Sequence, residues 1–282
     1  MNENYARELL ELHTLGVDGG YTQQDVVDVA RAFTGWTLDP PQPQGGGFRF
    51  EPRLHDSGEK QILGQTIEAG GGKSDGEQVL DMLVRHPSTA QFIATKLARR
   101  LVADDPPSAV VARAAATFRD TDGDLREVVR AIVTSPEFFS PEAYEVKVKT
   151  PLEFVVSAVR ATGAQTYNAQ SLVRSLQGLG MPPYLCQPPT GYDDTASAWI
   201  NTGALLNRMN FAIALVNGGL RGVRVNLSAV SGTEDPDDTR EWLLSHVLLG
   251  AASEGTTATL NKSSNPVQLA VLAIGAPEFQ RR

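Results

Sequence analysis

The sequence has 282 residues, of which 41% are hydrophobic and 21% charged, and its formal net charge is -8 at pH 7. This length and composition are typical of a globular protein with one large domain or two smaller ones. The acidic balance excludes the basic surface that nucleic-acid binding requires. A single cysteine, Cys186, excludes an internal disulfide and a cluster of thiolate ligands. No apolar run approaches the roughly 20 residues of a transmembrane helix, so we expect no membrane span.

The first residues predict a helix that carries two glutamates and a histidine. In RELLELHTLG, at 7–16, Glu8 and Glu11 lie three residues apart, and at about 100° per residue they share one side of the helix. His13 falls in the apolar sector, so the three side chains do not form a site on this helix alone. We expect His13 to be a hydrogen-bonded core residue, with Gly16 as the left-handed helix stop. The H-E-x-x-H pattern of a zinc-protease helix is absent.

The stretch MNENYARELL has neither the basic start nor the apolar segment of a signal peptide. Because the chain begins almost at once in a helix, we expect that an upstream part is missing. This helix has apolar residues over much of its circumference, from Tyr5 to Leu12, whereas a helix at a chain terminus normally exposes a wide polar face. An uncovered apolar face favours self-association, and we therefore expect a homo-oligomer.

The segment 37–70 is interrupted by proline and glycine and cannot form a long helix. Within it, GFRF and KQILGQTI predict one short β-hairpin near 48–67, with HDSGEK at its tip. The adjacent His55 and Asp56, close to Glu59 and Lys60, could bind a divalent metal or act in acid–base chemistry. Asp-Ser-Gly is also ordinary turn chemistry, which we favour, and both alternatives stay open.

Several segments begin with the residues of a helix N-cap or capping box, in which two side chains satisfy backbone N–H groups reciprocally. So many helix starts predict a mainly α, multi-helical fold of about ten helices. A break near 140–150 divides the chain into a first helical block, 1–140, and a second, 141–282, which we expect to pack as one unit. The predicted pairs are Thr22 with Asp25, Ser74 with Glu77, Ser88 with Gln91, Asp124 with Glu127, Thr150 with Glu153, Asp238 with Glu241, and Asn265 with Gln268.

Two irregular segments carry aromatic residues that could serve as contact surfaces. The sequence FTGW ends at Trp36, and PPTGYDD supplies Tyr192, followed by Trp199. Binding residues concentrate on loops that a rigid scaffold positions, and aromatic side chains dominate binding energy at interfaces. We therefore predict that Trp36, Tyr192 and Trp199 bind a partner.

Several stretches together resemble the domain of unknown function 1800 family of bacterial proteins. They include NENYARELLELHTLGVDGGYTQQDVVDVARAFTGW, HDSGEK, HPSTAQFIATKLARRLV, GDLREVVRAIVTSPEFF, KVKTPLEFVVSAVRATG and PPTGYDDTASAWINTGALLNRMNF. Family members are usually longer, so the resemblance implies that this chain matches their C-terminal portion. It also implies an exported, periplasmic or extracellular protein, encoded beside a relative of the alkaline phosphatase and sulfatase superfamily. No established activity comes with it. The polar positions that match the family's motifs are Asn2, Glu3, Asn4, Arg7, Glu8, Glu11, His13, Trp36, His55, Asp56 and Lys149.

Two functions compete at this point. The first is a non-catalytic binding module, without a cofactor, whose partner is a protein or an extracellular polymer. The alternative is a metal-assisted or acid–base hydrolase, with Glu8, Glu11, His55 and Asp56 as candidate catalytic residues. His13, His55 and Asp56 are then the candidate ligands of a divalent metal. We favour the binding module, because no complete catalytic set is local in the sequence.

Overall fold

The computed structural model describes residues 1–39 and 46–282. Within these residues it contains fourteen α-helices and three two-stranded antiparallel sheets, which confirms the predicted mainly α fold with more helices than the expected ten or so. The chain divides into two compact units. Unit 1 comprises residues 1–101 and 105–138, and unit 2 comprises residues 102–104 and 139–282. No helix in the described ranges is long and apolar enough to cross a membrane.

Unit 1 combines helices with two short antiparallel strand pairs. A π-helical turn, Leu9–Thr14, continues the first helix, and a 3-10 turn, Pro52–Leu54, separates the second and third strands. Its helices are α1 (Glu3–Glu8), α2 (Gln23–Ala32), α3 (Ser74–Arg85), α4 (Pro87–Leu101), α5 (Ser108–Asp120) and α6 (Leu125–Val133). Its strands are β1 (Trp36–Leu38), β2 (Phe48–Phe50), β3 (Lys60–Ile62) and β4 (Gln65–Ile67).

Unit 2 is almost entirely helical. A π-helical turn, Leu243–Val247, extends its sixth helix, and a 3-10 turn, Glu278–Gln280, lies near the C-terminus. Its helices are α7 (Pro151–Ala161), α8 (Gln170–Gly178), α9 (Ala196–Trp199), α10 (Thr202–Val216), α11 (Leu227–Ser231), α12 (Pro236–Trp242), α13 (Glu254–Leu260) and α14 (Pro266–Gly275). The strands β5 (Gln165–Thr166) and β6 (Val223–Arg224) form its one pair among the described residues.

The strand pairing differs from the hairpin predicted between GFRF and KQILGQTI. Strand β2 pairs with β1, so that Phe48 lies opposite Leu38, and β3 pairs with β4. The β3–β4 pair is a hairpin that turns at Leu63 and Gly64, both with positive φ, as a two-residue type I′ turn requires. The turn chemistry of Leu-Gly therefore closes a hairpin within KQILGQTI itself, and β2 takes its partner from the preceding segment.

Four of the predicted helix starts are correct. Thr22 and Thr150 form complete capping boxes with Asp25 and Glu153, whereas Asp124 and Asn265 accept hydrogen bonds from the first turns of α6 and α14. Three are wrong by position. Ser88 is the second residue of α4, which begins at Pro87, so it does not cap that helix. Ser74 is the first residue of α3 and does not cap it. The N-cap of α12 is Asp235, ahead of Pro236 at the first helical position, and not Asp238.

Thr150→Ala should lower the free energy of unfolding by about 1 kcal/mol, because it removes the oxygen that accepts the Glu153 backbone N–H at 3.4 Å. Urea denaturation measures this difference. Thr259→Ala is the matched control, since Thr259 is exposed within α13 and its hydroxyl donates to the Gly255 carbonyl of the same helix; its effect should stay within about 0.5 kcal/mol. Equal effects in the two variants would contradict a stabilising cap at Thr150.

Each unit has its own apolar core. In unit 1, α2 directs Val26 and Val29 inward against Leu10, Ile62 and Leu83. The largest fully buried residues of unit 2 come from four helices and are Phe154, Leu215, Leu260, Leu269 and Ile274. The core of unit 1 holds the segment that carries His55 and Asp56, and so positions the candidate site described next.

Candidate functional site

His55 lies in a group of three buried polar side chains, His55, Lys60 and Asp75, which we call the buried triad. The His55 side chain is 3% exposed, and those of Lys60 and Asp75 are 0% exposed. Lys60 Nζ donates to Asp75 Oδ2 at 2.7 Å and to the backbone oxygens of Asp56 and Gly58. The His55 Nε2 lies 3.2 Å from the same Asp75 oxygen, and Nδ1 lies 2.8 Å from the Thr34 carbonyl. Both ring nitrogens therefore face protein acceptors.

Asp56 takes part in a different set of contacts, along helix α2. The Arg31 guanidinium binds the Asp56 carboxylate through Nε at 2.9 Å and Nη2 at 3.1 Å, and it binds Asp28 at 2.7 Å. Asp28 and Asp25 in turn accept the backbone N–H groups of Gln61 and Leu63. The acidic face of α2 is thus turned toward the β3–β4 hairpin. The Gly58 N–H also donates to Asp56, which confirms the predicted turn at Asp-Ser-Gly.

The Asp56 carboxylate should make the stability of unit 1 depend on acid pH. The Arg31 hydrogen bonds, aided by the Gly58 N–H, lower the pKa of Asp56 from 3.8 to about 2. Because this pKa is lower in the folded state, the carboxylate stabilises the fold above about pH 4, and the contribution disappears as the pH falls toward 2. Asp56→Asn should therefore be less stable than the wild type at pH 6, and the difference should shrink toward pH 2.

Urea denaturation at several pH values tests this expectation. Asp81→Asn is the control, because Asp81 is exposed and makes no ion pair among the described residues. Asp56 is itself partly exposed, so solvent screens its pair with Arg31 and limits the effect. A stability difference that stays constant from pH 6 to pH 2 would contradict the assignment.

The structure does not bring Glu8, Glu11 and His13 into contact with the buried triad. Glu11 accepts a 3.4 Å hydrogen bond from the Tyr21 hydroxyl, and across the described residues no hydrogen bond or ion pair joins Glu8 or Glu11 to His55 or Asp56. The expectation of a buried His13 is wrong, since His13 is exposed. Its helix changes at Leu9 to a π-helical turn, whose i→i+5 hydrogen bonds shift the following residues from their ideal α-helical positions.

An open groove of about 590 Å³ lies on unit 1 beside the buried triad. Edge-to-face contacts connect its aromatic rings: Tyr5 to Phe33 at 5.7 Å, Phe33 to Trp36 at 4.9 Å, and Trp36 to Phe48 at 5.1 Å. Leu54, which directly precedes His55, also lines this groove. We call it the aromatic groove. Trp36, one of the predicted binding residues, is half-buried in its wall.

Thr34 and Gly35 connect the aromatic groove to the polar residues behind it. Both line the groove, and the Thr34 hydroxyl accepts the Asp56 N–H at 2.7 Å. Gly35 has φ +82°, and a β-carbon there would lie 2.9 Å from the Glu51 carbonyl oxygen. Only glycine fits this close approach without strain. Gly35 therefore positions the Trp36 indole at the groove. The segment that contains His55 packs closely against Gly35.

Tyr192 and Trp199, the other predicted binding residues, belong to unit 2. Their rings lie 6.4 Å apart, and the Trp199 Nε1 donates to the Asp193 carbonyl at 2.9 Å. Trp199 is only 8% exposed, and its part in binding stays a prediction. The Tyr192 hydroxyl donates to the Pro182 carbonyl at 2.6 Å. Both rings hold the loop of residues 182–195 in place.

The sequence matches the family model described as protein of unknown function DUF1800 over residues 1–281. The chain belongs to this family. The match covers essentially the whole chain. None of the curated proteins and none of the solved structures matches it.

The polar positions singled out by the family resemblance have separate roles within their units. Asn2 caps α1 by accepting the Tyr5 N–H at 3.1 Å. Lys149, in unit 2, donates to the Phe279 carbonyl at 2.9 Å, and burial lowers the pKa of its amine to about 8. No group of three or more histidine, cysteine, aspartate or glutamate side chains in the described ranges could hold a metal ion. His55 and Asp56, though adjacent, point to different partners.

Sequence reasoning missed Asp75, the centre of the buried triad. A capping box in SDGE accounts for Ser74 and Glu77 and gives Asp75 no role. The signal that could have identified Asp75 is its position between Gly71-Gly72 and Gly76, since small residues let other segments approach the backbone closely. The Trp36 ring does so at Gly76, where a β-carbon would lie 2.6 Å from the ring.

Proposed function

We propose that this protein is a non-catalytic binding module, and that the aromatic groove of unit 1 holds an apolar segment of a protein partner. One observation carries the proposal. Five large apolar side chains that are exposed in unit 1 line this single groove: Met1, Tyr5, Leu38, Phe48 and Leu54. Contiguous apolar surface of this kind marks interaction sites, whereas single exposed apolar residues are ordinary.

The lining favours a protein over an extracellular polymer rich in hydroxyl groups. Aliphatic side chains stand beside the rings, and among the lining residues only Asn2, Thr34 and Thr37 carry small polar side chains. The rings meet edge to face, which divides the groove into apolar pockets and does not build a flat platform. Aromatic and aliphatic anchors that enter such pockets supply most of the binding energy at protein interfaces.

The buried triad supports this function indirectly. His55 and Asp56 fix Thr34, and the 3-10 turn that precedes them presents Leu54 to the groove. A groove with rigid walls loses less conformational entropy when it binds. We therefore assign His55, Asp56 and Arg31 a positioning role behind the groove, with no contact to the partner.

A binding measurement with the purified product of the adjacent gene, the partner that the family resemblance suggests, tests the proposal. Phe48→Asp puts a charge in the groove and should weaken the association at least tenfold. Leu125→Asp is the matched control, because Leu125 is equally exposed in unit 1 but lies outside the groove; its affinity should equal that of the wild type. Circular dichroism should confirm that both variants remain folded.

Three results would contradict a different protein as the occupant of the groove. Retention on an insoluble polysaccharide that Phe48→Asp abolishes would make the polymer the occupant. Concentration-dependent dimerisation, lost in Phe48→Asp but not in Leu125→Asp, would make a second copy of this chain the occupant and would account for the expected homo-oligomer. Equal binding by both variants would remove the groove from the interaction altogether.

The alternative of a metal-assisted or acid–base hydrolase has no specific structural observation in its favour. A general base must reach its substrate, whereas the His55 ring is buried and both its nitrogens face protein acceptors. This alternative predicts a bound divalent metal in the purified protein, detectable by elemental analysis. Export, and correspondence to the C-terminal portion of longer DUF1800 members, remain proposals that rest on the family resemblance.

A further inference from the structure

Arg208 is a buried cation that has no counter-ion in its own unit. It is 3% exposed within α10, and no carboxylate in the described part of the chain forms an ion pair with it. The Glu153 carboxylate acts on Arg208 electrostatically, but its ion pair is with Arg282, at 2.9 Å. Burying an unpaired charge is costly, so an arginine in this position needs an explanation.

Two hydrogen bonds and one ring hold the guanidinium in place. Nη2 donates to the Lys149 carbonyl at 2.7 Å, and Nη1 donates to Gln280 Oε1 at 3.1 Å. The Gln280 amide is itself fixed, because Nε2 donates to the Ile274 carbonyl at 2.8 Å. The Arg208 Cζ lies 5.1 Å from the centre of the Phe154 ring. These contacts orient the cation, but none of them supplies a negative charge.

A cavity of about 300 Å³ in unit 2 opens beside this guanidinium. Apart from Arg208, Gln280 and Arg281, its lining is apolar, and it includes Ile200, Leu205 and Met209. Ile200 and Leu205 are partly exposed at its rim. The volume lies at the lower end of the range for small-molecule sites, about 300–1,000 Å³. Apolar walls with one fixed cation complement a molecule that has a hydrocarbon body and one anionic group.

We propose that this cavity binds a small aliphatic carboxylate, whose carboxyl group pairs with Arg208 and whose hydrocarbon chain lies against Ile200, Leu205 and Met209. A planar guanidinium and a carboxylate form strong charge-assisted hydrogen bonds, most of all where water is excluded. Desolvation by burial lowers the pKa of Arg208, which agrees with a cation that an anion would stabilise. This site lies in unit 2 and does not depend on the function proposed for the aromatic groove.

Calorimetry or ligand-observed NMR with three probes tests the site in the full chain. Hexanoate should bind at least about tenfold more tightly than 1-hexanol, which has the same hydrocarbon body and no charge. It should also bind more tightly than inorganic phosphate, which has charge and no hydrocarbon body. Equal binding of hexanoate and 1-hexanol would overturn the role of Arg208. Phosphate binding as tight as that of hexanoate would overturn the role of the apolar walls, and no binding of hexanoate would overturn the site.

Substitutions locate the binding. Arg208→Met should remove the preference for hexanoate over 1-hexanol, but it also leaves two acceptors unpaired and could unfold unit 2. Leu205→Glu avoids this problem, because it keeps Arg208 and places a negative charge at the rim; it should weaken hexanoate about tenfold and change 1-hexanol binding less. Leu206→Glu is the control, since Leu206 is exposed on α10 outside the cavity. Equal effects of the two glutamate variants on hexanoate binding would contradict the proposed position.

Discussion

Lys60→Met should lower the free energy of unfolding by about 3–5 kcal/mol, the usual cost of removing one partner from a buried ion pair. Methionine has a similar volume, so the loss is electrostatic and not a packing defect. Without the Lys60 ammonium, the Asp75 carboxylate stays fully buried with only the His55 ring beside Oδ2, and its Oδ1 has no hydrogen-bond partner. The carbonyl oxygens of Asp56 and Gly58 lose their donor as well.

Chemical denaturation measures the change, and Lys73→Met is its matched control. Lys73 pairs with Glu77 at 2.7 Å, but both side chains are about half exposed. An exposed pair contributes at most about 1 kcal/mol, so Lys73→Met should differ little from the wild type. If the two substitutions had equal effects, the Lys60–Asp75 pair would not stabilise unit 1.

Local sequence patterns predicted those parts of the fold that neighbouring residues determine. The capping boxes at Thr22 and Thr150 require only residues three positions apart, and both are present. The left-handed stop at Gly16, with φ +83°, is another local feature. Such signals are legible because the side chain and the backbone group that it satisfies belong to the same turn.

The candidate site could be predicted only in part, because distant residues build it. The sequence indicates His55 and Trp36 as candidate site residues. Their partners Asp75 and Phe48 depend on which distant segments pack together, which the sequence does not show. The predicted hairpin pairs the strand of Phe48 with the wrong partner, so it does not predict the contact between Phe48 and Trp36. Nothing local shows that Lys60, in a segment that looked like a turn, is buried against Asp75 fifteen residues later.

The π-helical turn explains the error at His13. Angular positions on a helix follow from 3.6 residues per turn, and this assumption holds only while i→i+4 hydrogen bonds continue. The Leu15 N–H bonds the Leu10 carbonyl instead, five residues earlier. Within this turn, which contains His13, residue spacing therefore no longer predicts which side chains are buried.

Phe154→Ala should destabilise unit 2 by about 3–5 kcal/mol, since it removes a ring that is 0% exposed. Phe154 meets Phe211 at 5.8 Å and Phe279 at 6.0 Å, both edge to face, and Arg208 lies over its face. The variant therefore creates a cavity and also removes aromatic and cation–π contacts. Leu206→Ala is the control, because Leu206 is 59% exposed and its replacement should change stability by about 0.5 kcal/mol at most.

Amide hydrogen exchange shows where the Phe154→Ala effect acts, because local opening reports the stability of each cooperative segment. Exchange should accelerate in α7, α10 and α14, whose buried residues share the core of unit 2. Unchanged protection of these helices would contradict a central position for Phe154. The amides of unit 1 give a second result from the same experiment: accelerated exchange there would support the expectation that both helical blocks fold as one unit, and unchanged exchange would refute it.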